Sequence, residues 1–316
     1  MEEMAYKKDD LEEDLFEEEA LYEEEEGDEA FDPDTPFEVD PNVPLRVAIL
    51  GRPNAGKSTL INHMLGEERM LTGPEAGITR DAIGIDWQWQ EGDQKRPIKL
   101  WDTAGIRRKS RVSEKLEKLS VADALRAVKF AEIVVLLIDA DTPFDKQDVQ
   151  LADLVEREGR AMVIAINKWD LKLDRNKVRE IIRDKLEFAL PRLRGIPVIT
   201  MSAKTGKGVE RLMPAVIRQH EIWNGRVPTA RLNKWLADAI TRHTPPADKG
   251  RPVRLRYVTQ AKARPPTFAA FSSRGHAVPE SYIRYLINSL RETFDLQGVP
   301  IRFFIRKGKN PYDDKS

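Results

Sequence analysis

Cysteine is absent from this 316-residue chain, which excludes disulfides, thiolate metal sites and cysteine nucleophiles and fits a reducing compartment. Long apolar runs are also missing. Nothing approaches the roughly 20 apolar residues of a membrane span, and the N-terminus carries acid where a signal peptide has a basic and then an apolar stretch. No internal repeat is found. The expectation is a cytoplasmic protein without a membrane partner, and at roughly 150 residues per domain the length accommodates about two cores.

Charge is plentiful but unevenly placed. The net of -1 conceals an acidic start, because residues 1–42 hold 20 Asp and Glu against Lys7 and Lys8. Residues 226–316 carry 18 basic against 7 acidic residues, interleaved with Tyr257, Phe268, Phe271, Tyr282, Tyr285, Phe303 and Phe304. A polyanionic partner is plausible for that half. Most of these aromatics fall at apolar positions of helices and strands and read as core rather than as base-stacking platforms.

Residues 1–42 repel themselves and hold too few apolar side chains to offset ordering, so a disordered acidic tail or linker is expected, with at most a transient helix over "LEEDLFEEEALYEEEE". A solubilising linker is the plain reading; a segment that occupies the basic C-terminal surface and weakens RNA binding is the other. From Leu45 onward come the runs "RVAIL", "IKLWD", "IVVLLID", "MVIAIN" and "IPVITMS", separated by helical stretches. Near-continuous Val, Ile and Leu suit strands buried on both faces, so an α/β fold with a mostly parallel sheet and flanking helices is predicted for residues 43–225. "DWQWQEGDQ" reads as a strand and turn that add one antiparallel pairing at the edge. "WNGRVPTAR" then breaks the pattern, and a boundary is placed near Arg226. Residues 226–316 follow the order α-β-β-α-β, a small α+β domain.

Gly51 to Ser58, "GRPNAGKS", fits G-x-x-x-x-G-K-[ST] between a strand and a helix. Glycines let backbone amides of Asn54, Ala55 and Gly56 turn toward phosphate oxygens, and the helix start adds about half a positive charge. Lys57 then reaches the outer phosphates, and Ser58, followed by Thr59, offers a hydroxyl to a bridging magnesium ion. Alone, the octet is also compatible with a glycine turn and an exposed lysine. Further pieces follow in order: "GITRD" at 77–81, "DTAG" at 102–105, "NKWD" at 167–170 and "SAK" at 202–204, the last three at strand C-termini, where open α/β sheets bind ligands.

With these pieces the chain resembles the translation-factor-related GTPases. The resemblance implies that Asp102 holds magnesium through water, that the Gly105 amide meets the γ-phosphate, and that Thr79 covers the metal; an ordinary loop threonine is the alternative for Thr79. Asp170 can accept two bonds from guanine, whereas adenine leaves the carboxylate unpaired, at a cost of a few kcal/mol. Asn167 braces the loop and base edge, the Lys168 stem packs on the ring, and the backbone of Ser202 and Ala203, ahead of Lys204, receives the base oxygen. The expected ligands are GTP and GDP with Mg2+.

Ile106 stands where many GTPases place a water-orienting glutamine. Asn54 matches the asparagine that, in TrmE/Era/EngA-type GTPases, helps bind potassium beside the phosphates; a turn-stabilising asparagine is the alternative. Together they suggest slow hydrolysis accelerated by K+, with Lys57, Asn54, Thr79 and Gly105 as catalytic candidates. Arg107, Arg108, Lys109 and Arg111 form either a solvated face or a nucleotide-sensitive contact. "GRPNAGKSTLIN", "DTAGIRRKSRV", "NKWDL" and "PESYIRYLINSLRETFDLQGVPIRFFIRKGKNPY" resemble the Der/EngA GTPases over Leu45 to Tyr312. Members carry two tandem GTPase domains and a KH-like domain and assist large-subunit assembly. The resemblance implies that residues 226–316 are KH-like, that the ribosomal precursor and rRNA are partners, and that a first GTPase domain is the absent neighbour. No G-x-x-G occurs in residues 226–316, so RNA contact there must rest on basic residues such as Arg254, Arg256, Arg302, Arg306, Lys307 and Lys309. The competing expectation is a nucleotide-gated RNA- or protein-binding module with negligible hydrolysis.

Overall fold

An apolar run with no polar alternation can be satisfied only where both faces of a strand are covered. Four such runs lie side by side in the computed structural model, which describes residues 40–67, 84–102, 121–172, 174–272 and 274–306. The strands β1 (Leu45–Leu50), β2 (Gly84–Glu91), β3 (Gln94–Asp102), β4 (Ile133–Asp139), β5 (Ala161–Asn167) and β6 (Val198–Thr200) form one sheet in the order β2-β3-β1-β4-β5-β6. Every residue of β5 and all but Asp139 of β4 are buried. All neighbours are parallel except β2 and β3, which pair antiparallel from Gly84↔Trp101 to Glu91↔Gln94. Their turn has Gly92 at φ 58°, a glycine-first order suited to a type II′ hairpin.

Because side chains alternate across a strand, each strand feeds two cores. One contains Leu50, Leu136, Ile138 and Ile164 under α2 (Val121–Phe130), α3 (Lys146–Arg157) and α4 (Arg175–Ala189). The other contains Val47, Ile49, Val135 and Val163 under α1 (Lys57–Glu67) and α5 (Leu212–Asn224). These are the layers of a doubly covered α/β sheet.

Beyond Gly225 the chain enters α6 (Thr229–Arg242), then β7 (Leu255–Lys262), β8 (Thr267–Ser272), α7 (Glu280–Thr293) and β9 (Arg302–Arg306). This is the α-β-β-α-β order expected of the KH-like part, with a sheet β7-β8-β9 that is antiparallel then parallel. Phe268, Tyr282 and Phe303 lie in its core, and Tyr285 packs against them. The second core of the large sheet continues through Trp223 into Leu232, Trp235, Phe268 and Leu286 without a break. Polar ties accompany it: the Trp223 indole donates to Gly159 O at 2.8 Å, and the buried Arg291 guanidinium donates to Leu296 O, Val299 O and Arg192 O at 2.7, 2.9 and 2.8 Å. The α+β half therefore shares packing with the sheet that carries the phosphate loop.

Candidate nucleotide site

β1 ends at Leu50, and Gly51 to Gly56 turn the chain into α1 at Lys57. Gly51 passes so close to β4 that a Cβ there would lie 2.3 Å from Leu137 O. At Gly56, φ is 99° and a Cβ would lie 2.2 Å from Asn167 Nδ2, so only glycine fits. The Lys57 ammonium donates to Gly51 O and Arg52 O, both at 2.8 Å, which folds it over the loop it closes. Ser58 and Thr59 are exposed on the first turn of α1, where unpaired amides favour anions. Asn54 is exposed with φ 62°, a left-handed conformation that asparagine adopts readily. That conformation suits the turn-forming reading as well as the cation-binding one.

Asn167, the last residue of β5, ties the phosphate loop to the base loop. Its side chain is 3% exposed, Nδ2 donates to Ala55 O at 2.8 Å, and Oδ1 accepts from the Ala203 amide at 2.8 Å. Next to it, Lys168 is held at φ 61° and its ammonium bonds Asp139 Oδ2 at 2.6 Å. Burial alone would raise the Asp139 carboxyl; Lys168 and the Asp141 amide outweigh it and hold it below its usual range. Trp169 is buried and its amide donates to Met201 O at 3.1 Å, so the turn after it presents Asp170 outward. Asp170 is exposed, and its carboxylate makes no hydrogen bond or ion pair among the described residues.

The base loop departs from expectation in one respect. The Ser202 amide points inward to Lys207 O at 2.9 Å, and the Ala203 amide is the one held by Asn167. Both donors assigned to a base oxygen are thus engaged, because the turn closes on itself: Gly206 N–H donates to Ser202 O, and Thr205 N–H to Ser202 Oγ. The Lys204 amide has no such partner among the described residues.

Asp102 closes β3 opposite Ile49 of β1, beside the start of the phosphate loop. Thr79, Gly105, Ile106, the Arg107–Arg111 run, the acidic segment before Asp40, Lys307 and Lys309 lie outside the described residues. Among the described residues no cluster of three His, Asp or Glu side chains forms a metal cage. Magnesium dehydrates reluctantly and is held by one or two protein oxygens together with phosphates; the exposed Ser58 hydroxyl is an oxygen donor of that kind.

Sequence reasoning missed a second support for the loop. The Arg52 guanidinium donates to Asp148 Oδ1 and Asp145 Oδ2 at 2.9 Å each, and to Thr142 O and Oγ1 at 2.7 Å each. Asp145 and Asp148 form the capping box of α3, whose D-x-x-D spacing in "PFDKQD" was the available signal. Burial pushes the fully buried Asp148 carboxyl upward, with Arg52 opposing.

Residues 46–168 match a family profile described as 50S ribosome-binding GTPase, residues 121–221 one described as the elongation factor Tu GTP binding domain, and residues 226–306 one described as the C-terminal KH-domain-like part of EngA bacterial GTPase enzymes. The chain is 61% identical over 298 residues to GTPase Der of Parvibaculum lavamentivorans, covering 94% of this chain and 62% of the relative. It is 57% identical over 288 residues to GTPase Der of Brucella anthropi (90% and 59%) and 55% identical over 297 residues to that of Dinoroseobacter shibae (92% and 60%). It thus spans about three fifths of the length of these relatives. With phosphate loop, base loop and KH-like half in one chain, the protein belongs to the Der/EngA family of GTPases.

Proposed function

We propose that this chain binds GTP and GDP, hydrolyses GTP with Mg2+ at a rate raised by K+, and acts on the large ribosomal subunit or its precursor. The observation that carries the nucleotide reading is the Asn167 clamp, which holds the phosphate loop and the base loop at one sheet edge while Asp170 stands unpaired beside them. In this reading Lys57 leaves the loop carbonyls to meet the outer phosphates, and α1 directs its amides at them. Asp170 selects guanine, and the Lys204 amide joins it at the base oxygen. Ser58, Asp102 and Thr79 would hold a magnesium ion, whose charge would offset that of the phosphates, and Asn54 would help hold a potassium ion, whose charge would offset charge in the transition state. Gly105 donates to the γ-phosphate. The relatives' name and the printed description of the residue 46–168 profile support the ribosomal part.

Parallel titrations with GTP, GDP and ATP test the site: guanine nucleotides are expected to bind at least tenfold more tightly, and equal binding refutes it. Phosphate release in matched potassium and sodium buffers tests the cation, and equal rates remove Asn54 from the mechanism. A second reading, a nucleotide-gated binding module with negligible hydrolysis, is favoured by Ile106 in the place of a water-orienting glutamine. Single-turnover cleavage with and without ribosomal subunits separates the two.

A further inference from the structure

A groove of about 940 Å3 runs along α4 beside the open edge of β6. Ile182 and Leu186 contribute to its apolar floor, and Arg179, Arg183, Arg194 and Arg211 line it against one glutamate. No carboxylate holds these cations closely among the described residues. Arg183 meets its neighbour Asp184 at 3.4 Å with side chains 72% and 70% exposed, Arg179 lies over the Trp169 ring, and Arg211 donates to Thr200 O at 2.7 Å but stands 3.9 Å from Glu210. Arg194 has no ion pair among the described residues. Exposed pairs of this kind contribute ~0–1 kcal/mol, so the rim can exchange them for a better anion.

The chain itself contains the complementary segment. Residues 11–26 hold ten carboxylates and no cation, together with Leu11, Leu15, Phe16, Leu21 and Tyr22. As a helix, the twelve residues from Leu11 to Tyr22 span about 18 Å, the length of the twelve residues of the groove wall from Arg179 to Leu190. The tether is long enough. Residues 27–39 make a 13-residue link with a root-mean-square span of about 20 Å, whereas β1, which follows Asp40, is three strand spacings or about 14 Å from β6. An RNA would answer the arginines but bring no aliphatic side chain to the floor.

We propose that residues 11–26 dock as an acidic amphipathic segment in this arginine-rimmed groove. β6 ends at Thr200, which lines the groove and stands two residues before Ser202, so the docked segment flanks the base loop. Tethering raises its local concentration to about millimolar, which makes a weak contact sufficient.

The proposal stands apart from the nucleotide reading, and its test uses the full chain without nucleotide. Since the chain has no cysteine, Glu19→Cys and Glu180→Cys introduce the sole spin-label positions, the second on an exposed part of α4. Double electron–electron resonance at low salt is expected to show one dominant narrow distance. Arg179→Gln with Arg183→Gln should reduce that population several-fold, as should high salt. Leu15→Ser with Phe16→Ser should do the same while every charge is retained, a result that general electrostatic attraction does not give. A broad distribution unchanged by either pair of substitutions overturns the proposal. So does weaker binding of an RNA oligonucleotide to the arginine variant with the distance distribution unaltered, which would assign the groove to RNA.

Discussion

Replacing Asn167 with alanine isolates what the clamp contributes, because its two bonds go to backbone atoms 112 and 36 residues away in the chain. The substitution leaves the Ala55 carbonyl and the Ala203 amide without their partner. Each unsatisfied buried group costs ~1–3 kcal/mol. If water reaches part of the space vacated, the lower half of the sum applies, a loss of about 2–4 kcal/mol in nucleotide-free stability. Asn167→Asp sharpens the test. At neutral pH the carboxylate still accepts from Ala203 but faces the Ala55 carbonyl, so the loss should be at least as large; in acid, the protonated carboxyl can donate to Ala55 and part of the loss should return relative to the parent. Urea unfolding of both variants across pH measures this, and a nucleotide titration should show tenfold or greater weakening for each 1.4 kcal/mol of lost preorganisation. Stability of Asn167→Ala within ~0.5 kcal/mol of the parent, the range of ordinary surface changes, would refute the clamp.

Substitutions at three other positions probe separate parts of the fold. Burial alone would raise the Glu132 carboxyl, but His220 and the Arg46 amide and guanidinium overcome this and hold it at about 2. Nearest atoms lie at 3.8 Å for His220, beyond hydrogen-bond range, and 3.1 Å for the Arg46 amide, so the amide is the firmer cause. A folded-state value depressed from 4.5 gives stability that is present above about pH 4.5 and lost as pH falls toward 2, ~2–3 kcal/mol in all; Glu132→Gln should flatten acid unfolding in that window. Arg291, 3% exposed, is lowered to about 10 by burial, and Arg291→Met strands three carbonyls, so unfolding should show a loss of ~3–5 kcal/mol. Arg291→Lys should not restore it, because an ammonium cannot reproduce the planar fork. Asp170→Asn should abolish the preference for GTP over ATP in competition binding while stability stays within ~0.5 kcal/mol, since Asp170 is exposed and has no partner among the described residues.

Local pattern made the large sheet legible: "IVVLLID" and "MVIAIN" could be satisfied only inside, and "DWQWQEGDQ" announced the antiparallel β2 and β3. The octet from Gly51 to Ser58 was legible because its glycines answer needs within a few residues of chain, a turn and a helix start. What escaped was pairwise and distant. Arg52 finds Asp148 across 96 residues, and neither residue alone differs from any charged residue near a turn. Ser202 and Ala203 show the same limit: which amides of that loop face outward depends on Lys207 and Asn167 closing on them. Gly225 and Pro228 end helical periodicity at "WNGRVPTAR", and the core passes over that break through Trp223 and Trp235. Periodicity reports which face of an element is apolar, not what covers it. Trp223, near the end of α5 and with its indole fixed on Gly159 O, is thus packed in a core common to both parts, and a void opened there by Trp223→Ala should loosen the two together rather than one.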